Sequence, residues 1–274
     1  MLKFNINEMN LYKTTGRFKK SYNYLIKKLN RKPTLPELSE FDHLHYNGIN
    51  AVDEAIIKSH IKKNNKVLDI GSGIGGPARY IAEKINAKIY AIELQKELND
   101  IALLLTKEYN LNNKISHIQG DILTHNFSNI KFNNIVSWLA FYHIPNRTLL
   151  LKKLYKILIT GGHLYTEDFF LKNKINNEHE ETLSKSFHAN YLVNYKKYLE
   201  ELKSNGFKIL YHEDLSKNWT TFTKNRLESF KINIDKTLSI YDKDTVINLL
   251  DFYELAYSLL SNNILGGIRY ICVK

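Results

Sequence analysis

Residues 67–76 read VLDIGSGIGG, and this stretch decides the fold. Val67, Leu68 and Ile70 have the unbroken apolar character of a strand buried on both faces. Gly71, Gly73, Gly75 and Gly76 follow as a tight turn. Beyond them, Pro77 and the spacing of Ile74, Ala78, Ile81, Ala82 and Ile85 predict a helix with proline in its first turn. A strand, a glycine loop and a helix in this order let main-chain N–H groups approach a ligand that a Cβ would keep away.

Moving outward, strands and helices alternate from Lys66 onward. KIYAIE (88–93), ISHIQGD (115–121), FNNIVSWLA (132–140), HLYTEDFF (163–170), FKILYHEDL (207–215) and GIRYICVK (267–274) read as six further strands. Helices are expected over Ile101–Tyr109, over Leu149–Leu158 with Gly161-Gly162 as its stop, and over Tyr195–Ser204 closed by Gly206. This alternation predicts a Rossmann-like, doubly wound α/β sheet of seven mostly parallel strands, with helices on both faces. Residues 1–60 lack strand character. Phe18, Tyr22, Leu25, Ile26 and Leu29 make one apolar helix face, Pro33 and Pro36 break it, and a second helix starts near Asn50. The expected organisation is a helical lid over 1–60 and a ligand-binding domain over 61–274, with a helical insertion over 213–266.

Composition narrows the function. The chain has 274 residues and a formal net charge of +11, but only six of its 39 basic residues are arginines. Arginine dominates specific phosphate and base contacts, so no nucleic-acid partner is expected. The longest apolar run, Ile135–Ile144, is interrupted by Ser137 and His143 and is too short to span a bilayer, so no membrane insertion is expected. Cys272 is the single cysteine, which excludes an internal disulfide and a cysteine-based zinc site. No leader peptide is legible, and a cytoplasmic location is the expectation.

Ligands of such sheets bind at the carboxyl ends of the strands. Asp69 ends the first strand. Glu93 ends the second, where a carboxylate can accept from both hydroxyls of a ribose. Asp121 ends the third, and with Ile122 it can meet the amine and face of an adenine. A dinucleotide site also needs a glycine loop and an acid about 20 residues on. Asp69, however, stands where it would repel a pyrophosphate. The segment resembles the D-x-G-x-G-x-G motif of class I S-adenosylmethionine-dependent methyltransferases, and the last strand resembles the hairpin that ends them. That resemblance covers roughly residues 45–274. It implies S-adenosyl-L-methionine as cofactor, held by Asp69, Gly71, Ser72, Gly73, Gly75, Glu93, Leu94, Asp121 and Ile122, with Ser137 and Trp138 next to them. No metal is implied.

Methyl transfer is an in-line displacement that asks for alignment, exclusion of water and, for a protonated acceptor, a base. The fourth strand runs into SWLAFYHIP (137–145), which places His143 on a loop facing the cofactor. This loop does not resemble the N/D-P-P-Y/F/W motif of adenine-N6 and glutamine methyltransferases. Cys272 sits in the wrong strand to serve cytosine-C5 chemistry. The order of Tyr12-Lys13-Thr14-Thr15-Gly16, HYNGINAVDEAI (45–56), the glycine loop and a strand-four histidine is similar to phosphoethanolamine methyltransferases and to sarcosine/dimethylglycine methyltransferases. In the first of these a lid tyrosine and the strand-four histidine act as a pair, which implies Tyr12 and His143 as catalytic residues. Three departures stand out. Leu139 occupies the place of the family's acid near the substrate amine. His188 and Asn190 fall where the family grips phosphate, and no lysine lies within Leu259–Gly267. An acceptor less charged than a phosphobase is therefore expected.

The acceptor is expected among Tyr46, Phe141, Tyr142, Asp168, His188 and Tyr191. Of nine aromatics near the pocket (Tyr12, Phe141, Tyr142, Phe169, Phe170, Phe187, Tyr191, Trp219 and Phe222), two or three are expected to line it and cradle a methylated cation. His43 and His45 lack a third metal ligand and read as part of the lid. The expected activity is transfer of a methyl group to a small molecule, an amine nitrogen first. The alternatives are a sulfur, oxygen or carbon acceptor of lipid-like character (the run GGPAR, 75–79, also occurs in sterol- and tocopherol-type methyltransferases), a catalytically silent binding protein, and an RNA-modifying enzyme.

Overall fold

The computed structural model describes residues 15–274, so Tyr12 lies outside the described residues. Strands β1 (Lys66–Ile70), β2 (Lys88–Glu93), β3 (Ile115–Gln119), β4 (Phe132–Trp138) and β5 (Leu158–Leu171) are parallel to one another. β7 (Leu265–Val273) runs antiparallel between β5 and β6 (Lys208–Asp214). The spatial order is β3-β2-β1-β4-β5-β7-β6, so the direction of winding reverses between β1 and β4. A ligand crevice opens at such a reversal.

The N-terminal segment supplies α1 (Gly16–Leu29), α2 (Leu35–Asp42) and α3 (Gly48–Lys58). Here the structure departs from the sequence reading. Pro33 and Pro36 do not simply end a helix, because Thr34 opens a new one. Its side chain accepts from the Glu37 N–H while Glu37 reaches back to the Thr34 N–H, and Pro36 sits in the first turn where no N–H is missed. Ala51, Val52 and Ala55 of α3 share one apolar cluster with Val67, Ala78 and Ile89 of the sheet domain. Asp42, at the end of α2, pairs with Arg79 at 2.9 Å, both buried. Removing one partner of such a pair costs about 3–5 kcal/mol. The pair clamps residues 42–46 onto α4 (Gly76–Ile85), so closely that a Cβ at Gly76 would lie 2.5 Å from the Asp42 carbonyl oxygen.

A second difference concerns Gly161-Gly162. Helix α6 (Arg147–Ile157) ends before them and β5 runs through them from Leu158. Gly161 takes φ +76°, and a Cβ at Gly162 would meet the Asn133 carbonyl oxygen at 2.9 Å. The pair therefore serves as a crossing point beside the register shift in β4 rather than as a helix stop.

On the opposite face, α6 and α8 (Tyr195–Ser204) bury Leu150, Leu154, Tyr198 and Leu202 against Leu68, Ile135 and Leu164. The helix α7 (Asn177–Phe187), absent from the sequence reading, follows β5. The insertion consists of α9 (Ser216–Ile232), α10 (Ile234–Ile240) and α11 (Lys243–Ser261). It docks through Trp219, which is fully buried. A Cβ at Gly267 would lie 2.5 Å from that indole, so only glycine lets α9 rest on β7. Among the described residues no helix is long and apolar enough to cross a membrane.

Candidate functional site

A cavity of about 740 Å³ opens at the carboxyl ends of β1, β2 and β4. One side is lined by Ile70, Gly71, Gly73, Glu93, Asp121 and Ile122. The other is lined by residues of α1, α7 and the insertion.

The glycine loop forms the inner wall. Gly71, Gly73 and Gly75 all take positive φ, at +69°, +54° and +78°. A Cβ at Gly71 would stand 2.5 Å from the Ala140 Cβ, so the loop fits only as glycine against the chain leaving β4. The amides of this loop are already committed. Gly71 and Ser72 donate to the Ile92 carbonyl, Gly73 to Glu93 Oε2 at 2.9 Å, and Gly75 to the Ser72 carbonyl. A loop that spends its N–H groups internally and presents carboxylates is poorly suited to a pyrophosphate, and this separates the site from a dinucleotide fold.

Glu93 is buried and lines the cavity, accepting from the Gly73 and Gln95 N–H groups at 2.9 Å each. Burial raises its pKa against the pull of those amides. Asp69 lies beneath the loop and outside the cavity lining, with Oδ2 lacking a hydrogen-bond partner. Burial, and then the charge of Glu93, push its carboxyl up to about 7. Asp121 is half-buried and accepts the Leu123 N–H at 2.8 Å through Oδ1, leaving Oδ2 as an acceptor. Ile122, Leu94, Ile92 and Leu98 add an apolar slot beside it.

Not every expected residue reaches the cavity. Gly75 faces Arg79 and His117, where a Cβ would meet each at 2.9 Å, so it serves helix packing. Ser72 is buried outside the lining. Ser137 is turned inward and donates to the Ile70 carbonyl at 2.9 Å, which ties β4 to β1. Trp138 does line the cavity, with the His45 ring stacked on it at 5.3 Å. His45 is buried and pushed down to about 3, and the His43 ring lies 5.2 Å from it. Among the described residues no cluster of His, Cys, Asp and Glu has the makings of a metal site.

The loop after β4 forms the cavity floor. Leu139 takes φ +56°, and Phe141–His143 make one 3-10 turn. That turn aims Phe141 into the core, where it is fully buried, while Tyr142 and His143 line the cavity. His143 Nδ1 lies 3.0 Å from the His188 carbonyl oxygen. A carbonyl only accepts, so Nδ1 carries the proton and Nε2 keeps its lone pair. Nε2 has no hydrogen-bond partner, and burial pushes the ring down to about 4, so it is neutral near pH 7.

Tyr46 and His188 also line the cavity. Asp168 does not. It is fully buried in β5 and accepts from the Tyr198 hydroxyl, where no ligand reaches it. Tyr191 is likewise outside the lining, and its main chain does the work, its N–H donating to the Tyr142 carbonyl at 3.2 Å. Of the nine aromatics, Tyr142, Phe169 and Phe187 line the cavity, whereas Phe170 and Trp219 are core. The sequence reading missed Tyr24, Arg226, Tyr241 and Tyr253, which close the far wall. Nothing in their local pattern marks them, because α1 and the insertion meet only in three dimensions.

Comparison with known proteins agrees with this geometry. Residues 67–162 match the model of a methyltransferase domain. A phosphoethanolamine N-methyltransferase of Plasmodium falciparum is 28% identical over 214 residues, 77% of this chain and 79% of its own length. A sterol 24-C-methyltransferase of Debaryomyces hansenii is 30% identical over 165 residues, 58% of this chain and 44% of its own. Among solved structures, phosphoethanolamine N-methyltransferase 2 of Haemonchus contortus, in complex with phosphomonomethylethanolamine and S-adenosylhomocysteine, superimposes with a TM-score of 0.79 at 17% identity. It covers 95% of this chain, which spans 58% of the worm chain. A putative sarcosine dimethylglycine methyltransferase of Galdieria sulphuraria gives 0.70 at 15% identity, with 82% and 83% of the two chains covered. These structural likenesses establish the fold. The domain matched by residues 67–162 is a methyltransferase domain, and the fold around it is similar to that of class I S-adenosylmethionine-dependent methyltransferases. The slot fits S-adenosylmethionine: Glu93 and Asp121 as acceptors for hydroxyl and amine, and an apolar groove beside the glycine loop for a flat ring.

Proposed function

We propose that the chain moves a methyl group from S-adenosylmethionine to the nitrogen of a small-molecule acceptor, with His143 as the base. One observation carries this reading: a buried, neutral imidazole whose Nδ1 is held by a carbonyl, whose Nε2 has no protein partner, and which lines the same cavity as the glycine-loop slot. When bound, the cofactor supplies an electrophilic methyl group on a sulfonium. Glu93 accepts from its ribose, and Asp121 with Ile122 holds its adenine. Asp69, beneath the loop, adds negative potential toward the cationic end. Tyr46, Tyr142, Phe169 and Phe187 offer ring faces and edges to an amine as it gains methyl groups and positive charge. Nε2 is buried in this structure, and once the seated acceptor reaches it His143 Nε2 takes the proton that an ammonium acceptor must lose before its nitrogen can attack. By resemblance, Tyr12 pairs with His143 from the lid.

The phosphoethanolamine relatives favour an amine acceptor, whereas Leu139, His188 and Asn190 in place of that family's acid and phosphate grip favour one less charged. A second reading, C-methylation of a lipid-like acceptor, draws on the size of the cavity and on the sterol relatives. One experiment separates them. The protein is incubated with methyl-labelled S-adenosylmethionine against ethanolamine, phosphoethanolamine, sarcosine, dimethylglycine, a sterol and a small-metabolite extract. Label on an amine is the expected result. Label on the sterol alone selects the second reading, and label only in RNA or protein overturns both.

A further inference from the structure

Asp168, Tyr198 and Arg147 form a buried polar set beside the cavity that the proposed reaction leaves without a role. Asp168 is fully buried and accepts from the Tyr198 hydroxyl. The Arg147 guanidinium lies 4.0 Å from the centre of the Tyr198 ring. Its Nη2 donates to the Tyr191 carbonyl at 2.7 Å, and its Nε meets Glu201 at 3.1 Å. Burial pushes the Asp168 carboxyl up to about 7. The Arg147 charge, the Tyr198 hydroxyl and the N–H groups of Phe169 and Tyr142 pull the other way.

Every strand of this set leads to one place. Tyr191, whose carbonyl Arg147 holds, donates its own N–H to the Tyr142 carbonyl. Three residues earlier in the same segment, the His188 carbonyl holds His143 Nδ1. The segment 188–191 is thus fastened to the 3-10 turn at both ends, and Arg147 is the charged side chain that fastens it. His188 takes φ +49° as the left-handed cap that ends α7, which turns its carbonyl out of the helix.

We propose that Asp168, Tyr198 and Arg147 are positioning residues for His143. They keep segment 188–191 docked on the turn, so that the His188 carbonyl fixes the imidazole as the Nδ1–H tautomer and leaves Nε2 as its buried lone-pair nitrogen. Glu201 pairs with the buried guanidinium, and Asp168 orients the Tyr198 hydroxyl and so the ring on which the guanidinium rests. Arg147 in turn holds the Tyr191 carbonyl, which fixes the register between the two segments. A free imidazole favours the other tautomer, so the supporting carbonyl decides which nitrogen carries the proton.

The role rests on His143 being the base, yet it can be read without any acceptor. Protein labelled with 15N-histidine is examined by long-range 1H–15N correlation for the wild type, Arg147→Lys, Asp168→Asn and Tyr198→Phe, with S-adenosylhomocysteine affinity measured alongside. In the wild type His143 is expected as a single Nδ1–H tautomer. Arg147→Lys and Asp168→Asn should convert at least a third of it to Nε2–H while S-adenosylhomocysteine binds within about threefold of wild type. Tyr198→Phe, which loses only a hydroxyl, should give a smaller conversion and keeps the test alive if the charged variants fail to fold. A His143 pattern unchanged in every folded variant overturns the proposal, as does a loss of cofactor affinity as large as the change in tautomer. If instead His143→Ala retained turnover while the tautomer shifts appeared as expected, the assignment of the base would fail and the positioning role would stand.

Discussion

The two walls of the cavity are built by different means. The wall where we propose that the cofactor lies is mostly main chain: three positive-φ glycines, amides tied to Ile92 and Glu93, and acids at consecutive strand ends. The facing wall, which we propose receives the acceptor, is side chains borne on helices from distant parts of the sequence. Its α1 edge meets the insertion through the Lys20–Asp242 pair at 2.8 Å and the Ser21–Tyr241 hydroxyl contact at 2.5 Å. A wall made of backbone tolerates almost no substitution, because backbone cannot repack. A wall made of side chains on an insertion can be changed one residue at a time, which is how related enzymes on one fold come to differ in acceptor.

If this contrast holds, the largest effect belongs to the first wall. Gly71→Val places a branched side chain at φ +69° where even a Cβ is 2.5 Å from Ala140. Calorimetry with S-adenosylhomocysteine should show affinity reduced by more than about 100-fold, well beyond the cost of an ordinary cavity change. Near-normal affinity would mean that the loop is not the cofactor wall. Next is His143→Ala, for which turnover should fall by about 10²–10⁴ while cofactor affinity changes less than about threefold. Turnover and affinity falling together would place His143 in the first wall instead of between the two.

Asp69 tests the first wall through pH. Its folded pKa of about 7 lies above the ordinary carboxylate value, so the folded protein binds the extra proton and this residue costs stability as pH rises from about 4 to 7. Asp69→Asn should match wild type near pH 4 and melt several degrees higher at pH 8 without ligand. A melting difference that did not grow with pH would contradict a partnerless buried carboxyl. The smallest effect is expected at the joint of the second wall. Lys20→Ala removes an exposed ion pair and should move the melting temperature by less than about 1 °C. A change in acceptor KM of a few fold, with cofactor affinity constant, would assign the joint to acceptor binding.

What the sequence made legible follows the same division. VLDIGSGIGG, Glu93 and Asp121 are local signals, since a strand end, a glycine turn and the acid beside it are neighbours in the chain. Burial direction at a strand end is harder to read. Asp168 and Phe141 sit where acceptor contacts belong by position, yet β5 and the 3-10 turn point them inward. Gly161-Gly162 reads as a helix stop from its left and as a strand crossing from its right, and only the pairing with β4 decides. Arg226, Tyr241 and Tyr253 carry no signal at all, because their neighbours in the cavity are α1 residues some 200 positions earlier.

The position of β7 sets the order in which the molecule can be assembled. Among the described residues β6 has β7 as its only strand neighbour, and β7 is made after the three insertion helices. Until segment 265–273 leaves the ribosome, β5 keeps an unpaired apolar edge, β6 has nothing to pair with, and α9 lacks the glycine surface on which Trp219 rests. The β1–β4 half can close earlier on its own neighbours, so during synthesis the glycine loop should be in place while the acceptor wall is still unbuilt.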